Sequence, residues 1–159
     1  MERISYHEIP KGMFEKLMGV EQFINDSPIE MDLLELIRLR VGQINGCAYC
    51  VDMHHKVLKH LGESDLRLAL LSAWDDSPFF NDREREVLRF TENLTNMGSR
   101  PITDEEIDTL LKHFSKSEIS YLTLAISQIN TWTRLMKTFK LTPGKYVVKE
   151  NEVEKKAIA

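Results

Sequence analysis

The sequence predicts a compact all-α fold of about six to seven helices. Apolar residues recur at three- and four-residue spacing along almost the whole chain, which is the pattern of amphipathic helices. Strand-like alternation is scarce, and Gly and Pro are few, at 7 and 5 of 159 residues. A hydrophobic content of 42% can form a buried core, so a single domain is the simplest arrangement.

The first two helices are predicted from a periodic stretch and a capping signal. Residues 10–24 form the opening helix, with Pro10 near its start. Ser27 and Glu30 match the S-x-x-E capping box, and Pro28 suits a first helical position, so the second helix is expected to begin there. It is expected to loosen near residues 45–46, an Asn-Gly pair.

The next two helices surround a C-x-x-C motif. Cys47 to Leu61 is predicted to be helical and to be closed by Gly62, since glycine tolerates the left-handed conformation just beyond a helix end. Ser64 is expected to cap a further segment that continues through Trp74. The motif therefore lies at a helix N-terminus.

The second half of the chain is divided by three more capping signals. Residues 75–80 are predicted to be a connection and residues 98–101 a break. The three pairs are Asn81 with Glu84, Thr103 with Glu106 and Ser115 with Glu118. They are expected to open a helix past Leu94, a short one to Phe114 and a long one to about Lys140.

The end of the chain is expected to lie outside the domain. Pro143-Gly144 ends the periodic pattern, and the following charged stretch has no turn or core signal. We therefore predict one domain over residues 1–145 and a loosely held charged tail over residues 146–159.

Charge and hydropathy exclude several classes of function. The net charge is -4 with no concentrated basic run, so a nucleic-acid partner is not expected. No apolar run is long enough to cross a bilayer, and the N-terminus lacks the pattern of a secretory signal. Two cysteines cannot build the disulfide framework of a small secreted domain. A cytoplasmic protein with no membrane partner is expected.

The cysteines and a histidine share one face of the predicted third helix. Cys47, Cys50 and His54 stand at positions i, i+3 and i+7, and two leucines continue the stripe. The helix N-terminus and the imidazole can each favour a thiolate, which is the reactive form of cysteine. A second thiol three residues away can condense with a sulfenic acid and prevent over-oxidation. The spacing therefore suits a dithiol redox pair.

Glu35 is a further candidate, and two interpretations remain open. Its helical neighbours Met31, Leu39 and Gly42 would surround the carboxyl with apolar groups and raise its pKa. Alternatively, Glu35 lies at the edge of an amphipathic helix and pairs with Arg38. The pattern alone favours the second interpretation, because structural carboxylates outnumber catalytic ones.

The stretch ELIRLRVGQINGCAYCVDMHH resembles the core motif of the AhpD-like alkylhydroperoxidases, in the carboxymuconolactone decarboxylase superfamily. That motif is a Glu, a C-x-x-C that begins twelve residues later, and a His four residues after the second Cys. The resemblance continues through LLSAWDDSPFFNDREREVLRFTENLT and, more loosely, INTWTRL, so it covers about residues 5–140. One position departs: Tyr49 stands where the archetypal enzyme has His, so a relay role is not carried over to it.

The resemblance implies a thiol-dependent peroxidase with an all-α fold. Cys47 and Cys50 correspond to a dithiol that cycles with a disulfide, and Glu35 and His54 to a proton relay, with no cofactor or metal. The implied partners are a hydroperoxide, a dithiol or disulfide-carrying reductant protein, and further copies of the chain in a hexamer or trimer.

Other interpretations remain beside this one. Cys47, Cys50 and His54 or His55 supply at most three zinc ligands from one helix, and no second C-x-x-C is present. A decarboxylase or lyase of the same superfamily, or a non-enzymatic thiol stress sensor, would be alternative functions. Helix electrostatics make Cys47 the expected lower-pKa, more exposed thiol. The resemblance instead favours Cys50 as the peroxide-reacting sulfur and Cys47 as the one that exchanges with the reductant.

Overall fold

A computed structural model describes residues 2–148, and every regular element among them is helical. The predicted all-α class is therefore confirmed. After a short 3₁₀ helix at Tyr6–Glu8, the elements are α1 (Met13–Asn25), α2 (Met31–Ile44), α3 (Ala48–His60), α4 (Asp65–Leu70), a second 3₁₀ helix (Leu71–Asp76), α5 (Asp82–Thr95), α6 (Asp104–Leu110) and α7 (Lys116–Phe139).

Helix α2 is the centre of the fold. It packs against α3, α5 and α7, and nine of its fourteen residues are buried on all sides of the helix. An isolated helix of this length is marginal in water, so its stability comes from this burial. Because residues 33–39 of α2 are all buried, Glu35 and Arg38 must find their partners inside the protein.

Two apolar clusters pack on either side of α2. The larger one joins α1, α2, α5, α6 and α7 through residues such as Leu34, Ile37 and Leu122. The second joins α2 to α3, α4 and the second 3₁₀ helix through Leu36, Leu39 and Leu58 among others. These clusters hold the third helix, and hence the C-x-x-C motif, against the central one.

Most predicted helix starts are confirmed by side-chain caps. Asn81, Thr103 and Ser115 each accept from the backbone of the Glu three residues later, and that Glu completes the capping box. Ser64 accepts from Arg67 N at 3.1 Å, as expected. The segment after it does not remain one helix to Trp74, since α4 ends at Leu70 and a 3₁₀ helix with non-helical dihedrals at Ala73 follows.

The predicted capping box at Ser27 is wrong. The Ser27 backbone N–H donates to Ile24 O, so this residue completes the end of α1. Its hydroxyl accepts from Ile29 N at 3.3 Å, and Glu30 is the N-cap of α2 without a side-chain cap bond. The reason is tertiary: Ile29 is completely buried in the larger cluster, which requires a turn before the helix begins.

The opening of the chain also differs from the prediction. Helix α1 begins at Met13 and not at Pro10, after Gly12 in the left-handed region at φ 86°. Before it, Ser5 and Glu8 form a capping box on the unpredicted 3₁₀ helix, with Glu8 Oε2 accepting from Ser5 N at 2.8 Å. The same S-x-x-E signal that marks the later helices is present here.

Helix α7 ends at Phe139, close to the expected Lys140, and the chain then returns to α3. Gly144 N donates to Asp52 Oδ2 at 2.9 Å, and Lys56 Nζ donates to the carbonyl of Tyr146 at 3.1 Å. The first residue of the predicted tail is therefore in contact with the domain. The rest of that prediction, from residue 149 onward, lies outside the described residues.

Within residues 2–148, no helix combines the length and the apolar character needed to span a bilayer.

Gly42 tests how closely α2 and α3 pack. A Cβ at Gly42 would lie 3.4 Å from Cys50 Cβ and 3.4 Å from Val51 Cγ2. We expect Gly42→Ala to be near neutral, because a gain in helix propensity of about 1 kcal/mol offsets the tight contact. Gly42→Val should lower the free energy of unfolding by about 1–3 kcal/mol through overpacking, measured by urea unfolding.

Gly19 provides the matched control for this pair. It also lies within a helix, but a Cβ there would meet nothing within 4 Å. Gly19→Val should not destabilise the protein. Equal loss of stability from valine at both positions would contradict the tight contact assigned to Gly42.

Candidate active site

The two cysteines form a disulfide at the start of α3. Cys47 is the N-cap residue and Cys50 is the third residue of the helix, with 5.4 Å between their Cα atoms. Cys47 Sγ accepts a hydrogen bond from Cys50 N at 3.3 Å. The expectation that the motif lies at a helix N-terminus is confirmed, although helical residues begin at Ala48.

Both sulfurs are covered by apolar side chains. Cys47 is 1% exposed and Cys50 is 2% exposed, so the expectation that Cys47 is the more exposed thiol is wrong. They share a cluster with Met136 and Phe139 of α7. The partly buried side chains packed on this cluster are Ile4, Ile9, Met13, Phe14, Tyr49, Trp132, Leu135 and Leu141. The N-terminal segment and the end of α7 therefore enclose the disulfide.

Tyr49 lies between the two cysteines, at the position where the resembled enzyme has His. It packs against the cysteine cluster and is half-buried. Burial raises the pKa of its phenol, and nearby negative groups act in the same direction. The hydroxyl therefore stays protonated at neutral pH and is not a base.

His54 lies one turn beyond Cys50 and is buried between α2 and α3. Its Nδ1 is 2.8 Å from Glu35 Oε2, whereas Nε2 has no hydrogen-bond partner within residues 2–148. The facing residues follow from the helix register: Gly42 of α2 lies against Cys50, and Glu35, two turns earlier, lies against His54. The sequence analysis placed Cys50 and His54 on one face of the third helix, and the structure shows Gly42 and Glu35 of α2 opposite them.

Glu35 is buried and ionised, which corrects both sequence interpretations. Burial alone would raise the pKa of Glu35, but the charges of His54 and Arg38, and their hydrogen bonds to it, lower this pKa to about 2. Arg38 Nη1 donates to Glu35 Oε1 at 2.7 Å. The expected Arg38 pair therefore exists, but it lies inside the protein and not at the edge of an amphipathic helix. Its partners are polar, so the expected rise in pKa does not occur.

Arg38 extends this arrangement to two further helices. Its Nη2 donates to Glu21 Oε2 at 2.8 Å and to Asn25 Oδ1 at 2.7 Å, both on α1. Trp132 Nε1 of α7 donates to the other Glu21 oxygen at 2.7 Å. The sequence analysis did not place Glu21 or Trp132 at the site. The available signal was Arg38, a charged residue within the mostly Leu and Ile run of residues 33–39 of α2.

The charge state of Glu35 determines the proton arrangement on His54. A carboxylate only accepts hydrogen bonds, so Nδ1 must carry the proton that lies between His54 and Glu35. In the neutral imidazole, Nε2 then has a free lone pair. The site can therefore accept a proton at Nε2, on the helix face that also carries Cys50.

A metal centre has no support in the part of the chain that the structure describes. No three His, Cys, Asp or Glu side chains among residues 2–148 are grouped so that they could hold an ion.

Comparison with known proteins identifies the family. The carboxymuconolactone decarboxylase family matches residues 11–93, just over half of the chain. This chain belongs to that family. The matched region contains Glu35, both cysteines and His54, and ends within α5.

Two relatives are similar to this chain over most of its length. The uncharacterised protein YdfG of Bacillus subtilis is 36% identical over 135 residues, which cover 84% of this chain and 91% of YdfG. A crystal structure from Agrobacterium tumefaciens, described as a protein of unknown function and candidate antioxidant defence protein AhpD, is 36% identical. It has a TM-score of 0.86 and covers 92% of this chain and 100% of that one.

A more distant structure shares the fold alone. It is an uncharacterised peroxidase-related protein from Silicibacter, 18% identical, with a TM-score of 0.75 over 82% of this chain and 70% of that one. The AhpD-like fold expected from the motif is thus confirmed.

The depressed pKa of Glu35 predicts a pH-dependent contribution to stability. A carboxylate with a folded-state pKa of about 2 stabilises the protein above its unfolded value, near 4.5, and loses this contribution as the pH falls toward 2. Glu35→Gln should lower the free energy of unfolding at pH 7 by about 3–5 kcal/mol, because Arg38 and His54 both lose a buried carboxylate partner and Glu21 remains as the carboxylate facing Arg38.

The measurement is urea unfolding of parent and variant between pH 7 and pH 2. The difference between the two proteins should shrink by about 3 kcal/mol over the lower part of this range. Glu15→Gln, which removes an exposed carboxylate of α1, controls for the loss of one negative charge. A constant difference between parent and Glu35→Gln at every pH would contradict the low pKa.

Proposed function

We propose that this chain is a thiol-dependent peroxidase that reduces organic hydroperoxides through Cys47 and Cys50. The observation that carries the proposal is the disulfide at the N-terminus of α3 with His54, which is paired to Glu35 of α2, one turn further along α3. The antioxidant role named for the Agrobacterium relative, which is 36% identical over its full length, supports it.

The reaction begins from the reduced dithiol. Cys50 transfers its proton to His54 Nε2, and its thiolate attacks the terminal oxygen of the hydroperoxide. The O–O bond breaks, the alkoxide takes the proton from His54 and leaves as an alcohol, and Cys50 becomes a sulfenic acid. Cys47 then attacks the Cys50 sulfur, and the hydroxyl takes the proton of the Cys47 thiol and leaves as water when the disulfide forms. Two electrons pass from the dithiol to the peroxide.

Cys47 is suited to the second step by its place at the helix end. As the N-cap it accepts the Cys50 N–H and faces the positive end of the α3 dipole, which favours its thiolate. Cys50 instead shares a helix face with His54. These positions support Cys50 as the peroxide-reacting sulfur and Cys47 as the sulfur that a reductant attacks.

Glu35 has a different role from the proton carrier that the motif suggests. With its pKa held at about 2, it does not take up a proton at neutral pH. Its function is to orient His54 through Nδ1 and to stabilise the imidazolium that forms when Nε2 accepts the thiol proton. The proton carrier is therefore the His54 imidazole, and the ionised Glu35 carboxylate holds it in place.

The surroundings of the disulfide indicate which kind of hydroperoxide and which kind of reductant suit this site. The apolar side chains around Cys47 and Cys50 favour a hydroperoxide with an apolar organic group over hydrogen peroxide. A dithiol protein or small dithiol restores the thiols by exchange. Because both sulfurs are buried, the covering N-terminal segment, which is held by Arg3 N and Ile4 N on Phe139 O, must move before a protein reductant reaches them.

The dithiol cycle is tested with serine variants. The parent should lose both free thiols and two hydrogens in mass after one equivalent of cumene hydroperoxide, and should turn over when dithiothreitol is supplied. Cys50→Ser should lose turnover completely. Cys47→Ser should still react once and stop as a Cys50 sulfenic acid, which dimedone traps. Oxidation of the two variants and the parent to equal extents would contradict the proposal.

The same assay separates the alternatives. A thiol stress sensor would lose its thiols once without multiple turnover. A decarboxylase or lyase, the activity for which the family is named, would retain activity on a cyclic acid in the absence of both thiols. A double Cys47→Ser, Cys50→Ser variant with full lyase activity would therefore replace the peroxidase proposal.

We also propose that the protein is a homo-oligomer, a hexamer first and a trimer next. Met18 and Phe23 of α1 are 54% and 56% exposed, which suits a surface covered by another copy. Multi-angle light scattering at micromolar concentration should give a multiple of 18.5 kDa. Phe23→Asp should lower that mass, and a parent protein with the mass of a single chain would contradict the proposal.

A further inference from the structure

The guanidinium of Arg38 is the centre of a buried polar network that joins four helices. Arg38 is 3% exposed, and its Nη1 and Nη2 atoms donate to Glu35, Glu21 and Asn25 at 2.7–2.8 Å. A planar guanidinium with several partners is held in one orientation, unlike a lysine ammonium. Arg38 therefore fixes the geometry of whatever it contacts.

Both oxygens of each carboxylate in this network accept a hydrogen bond. Glu35 accepts from Arg38 at Oε1 and from His54 Nδ1 at Oε2, the latter at 2.8 Å. Glu21 accepts from Arg38 at one oxygen and from Trp132 Nε1 at the other, at 2.8 and 2.7 Å. The chain of contacts runs from His54 on α3 to Trp132 on α7, whose indole packs against the cysteine cluster.

The charges of the network depend on Arg38. The ionisable groups that face one another here are Glu21, Glu35, Arg38 and His54, and Asn25 adds a neutral acceptor. With Arg38 present, two carboxylates face one permanent cation. Without it, Glu35 Oε1 would lose the donor that holds it, and two carboxylates would share a buried space without that cation, so the Glu35 carboxyl group would no longer be held toward His54 Nδ1.

We propose that Arg38 is a positioning residue for His54, acting through Glu35, and that Glu21 and Trp132 hold Arg38 in place. Arg38 anchors Oε1 of Glu35, turns Oε2 to His54 Nδ1, and so keeps Nε2 as the proton-accepting nitrogen. This inference rests on the proposed function in that Nε2 serves the Cys50 thiol, but the proton arrangement on His54 can be measured without any peroxide.

The test compares Arg38→Met with Arg40→Met in the full-length protein. Arg40 lies on the same helix and is also paired, with Nη2 donating to Glu92 at 2.7 Å, but shares no partner with Glu35. Nitrogen-15 NMR of His54 at pH 8 should show a single Nδ1–H form in the parent and in Arg40→Met. Arg38→Met should show a mixture of the Nδ1–H and Nε2–H forms.

The second measurement is the pH dependence of Cys50 alkylation in the reduced Cys47→Ser background. Arg38→Met should move the midpoint of this curve by at least about half a pH unit and slow peroxide turnover by about tenfold to hundredfold. Arg40→Met should leave both unchanged. Arg38→Lys, which keeps the positive charge without the planar guanidinium, should recover part of the lost turnover.

Trp132→Phe keeps the test decisive if Arg38→Met does not fold. It retains an aromatic ring next to Phe14 and removes the N–H bound to Glu21 together with the second ring of the indole. A smaller shift of the His54 signals in the same direction is expected. Unchanged His54 signals and alkylation curves in every Arg38 and Trp132 variant would overturn the inference. Failure of the parent to reduce peroxide would instead reject the proposed function, while the NMR result would still decide the role of Arg38.

Discussion

The pairing of Glu35 with Arg38 inside the central helix is the constraint on which the site depends. A carboxylate that is 5% exposed cannot remain ionised without strong partners, and the α2 residues around it, 33–39, are all buried from water. Arg38, three residues away on the same helix, supplies the compensating charge, and His54 takes the second oxygen. The charged groups that determine the electrostatics of the site therefore lie in the core.

The dithiol is joined to this core by the close approach of α2 and α3. Gly42 has no side chain where α3 crosses, which lets Cys50 and Val51 lie directly against the α2 backbone. The same register places His54 opposite Glu35, two turns away on α2. One helix–helix contact thus sets the relative positions of the sulfur pair and the imidazole. An error in this register would separate the two halves of the site.

The enclosure of the disulfide has consequences for access. Apolar groups from both ends of the described chain cover the sulfurs, which strengthens any charge interaction there. In the function that we propose, a protein reductant reaches the sulfurs only after this cover opens. The N-terminal segment is tied to Phe139 by two backbone hydrogen bonds, far fewer than those of the helices beneath it.

The sequence by itself determined the helical class, most helix starts and the face that carries Cys47, Cys50 and His54, because periodicity and capping boxes are local properties. It did not determine the start of α2, where burial of Ile29 overrode the Ser27 signal. Nor did it determine the ionised state of Glu35. That state depends on contacts with Arg38 and His54 inside a helix packed on every side, and through Arg38 on a glutamate seventeen residues away. Electrostatic environments arise from such assembled neighbours, and only the tertiary structure decides them.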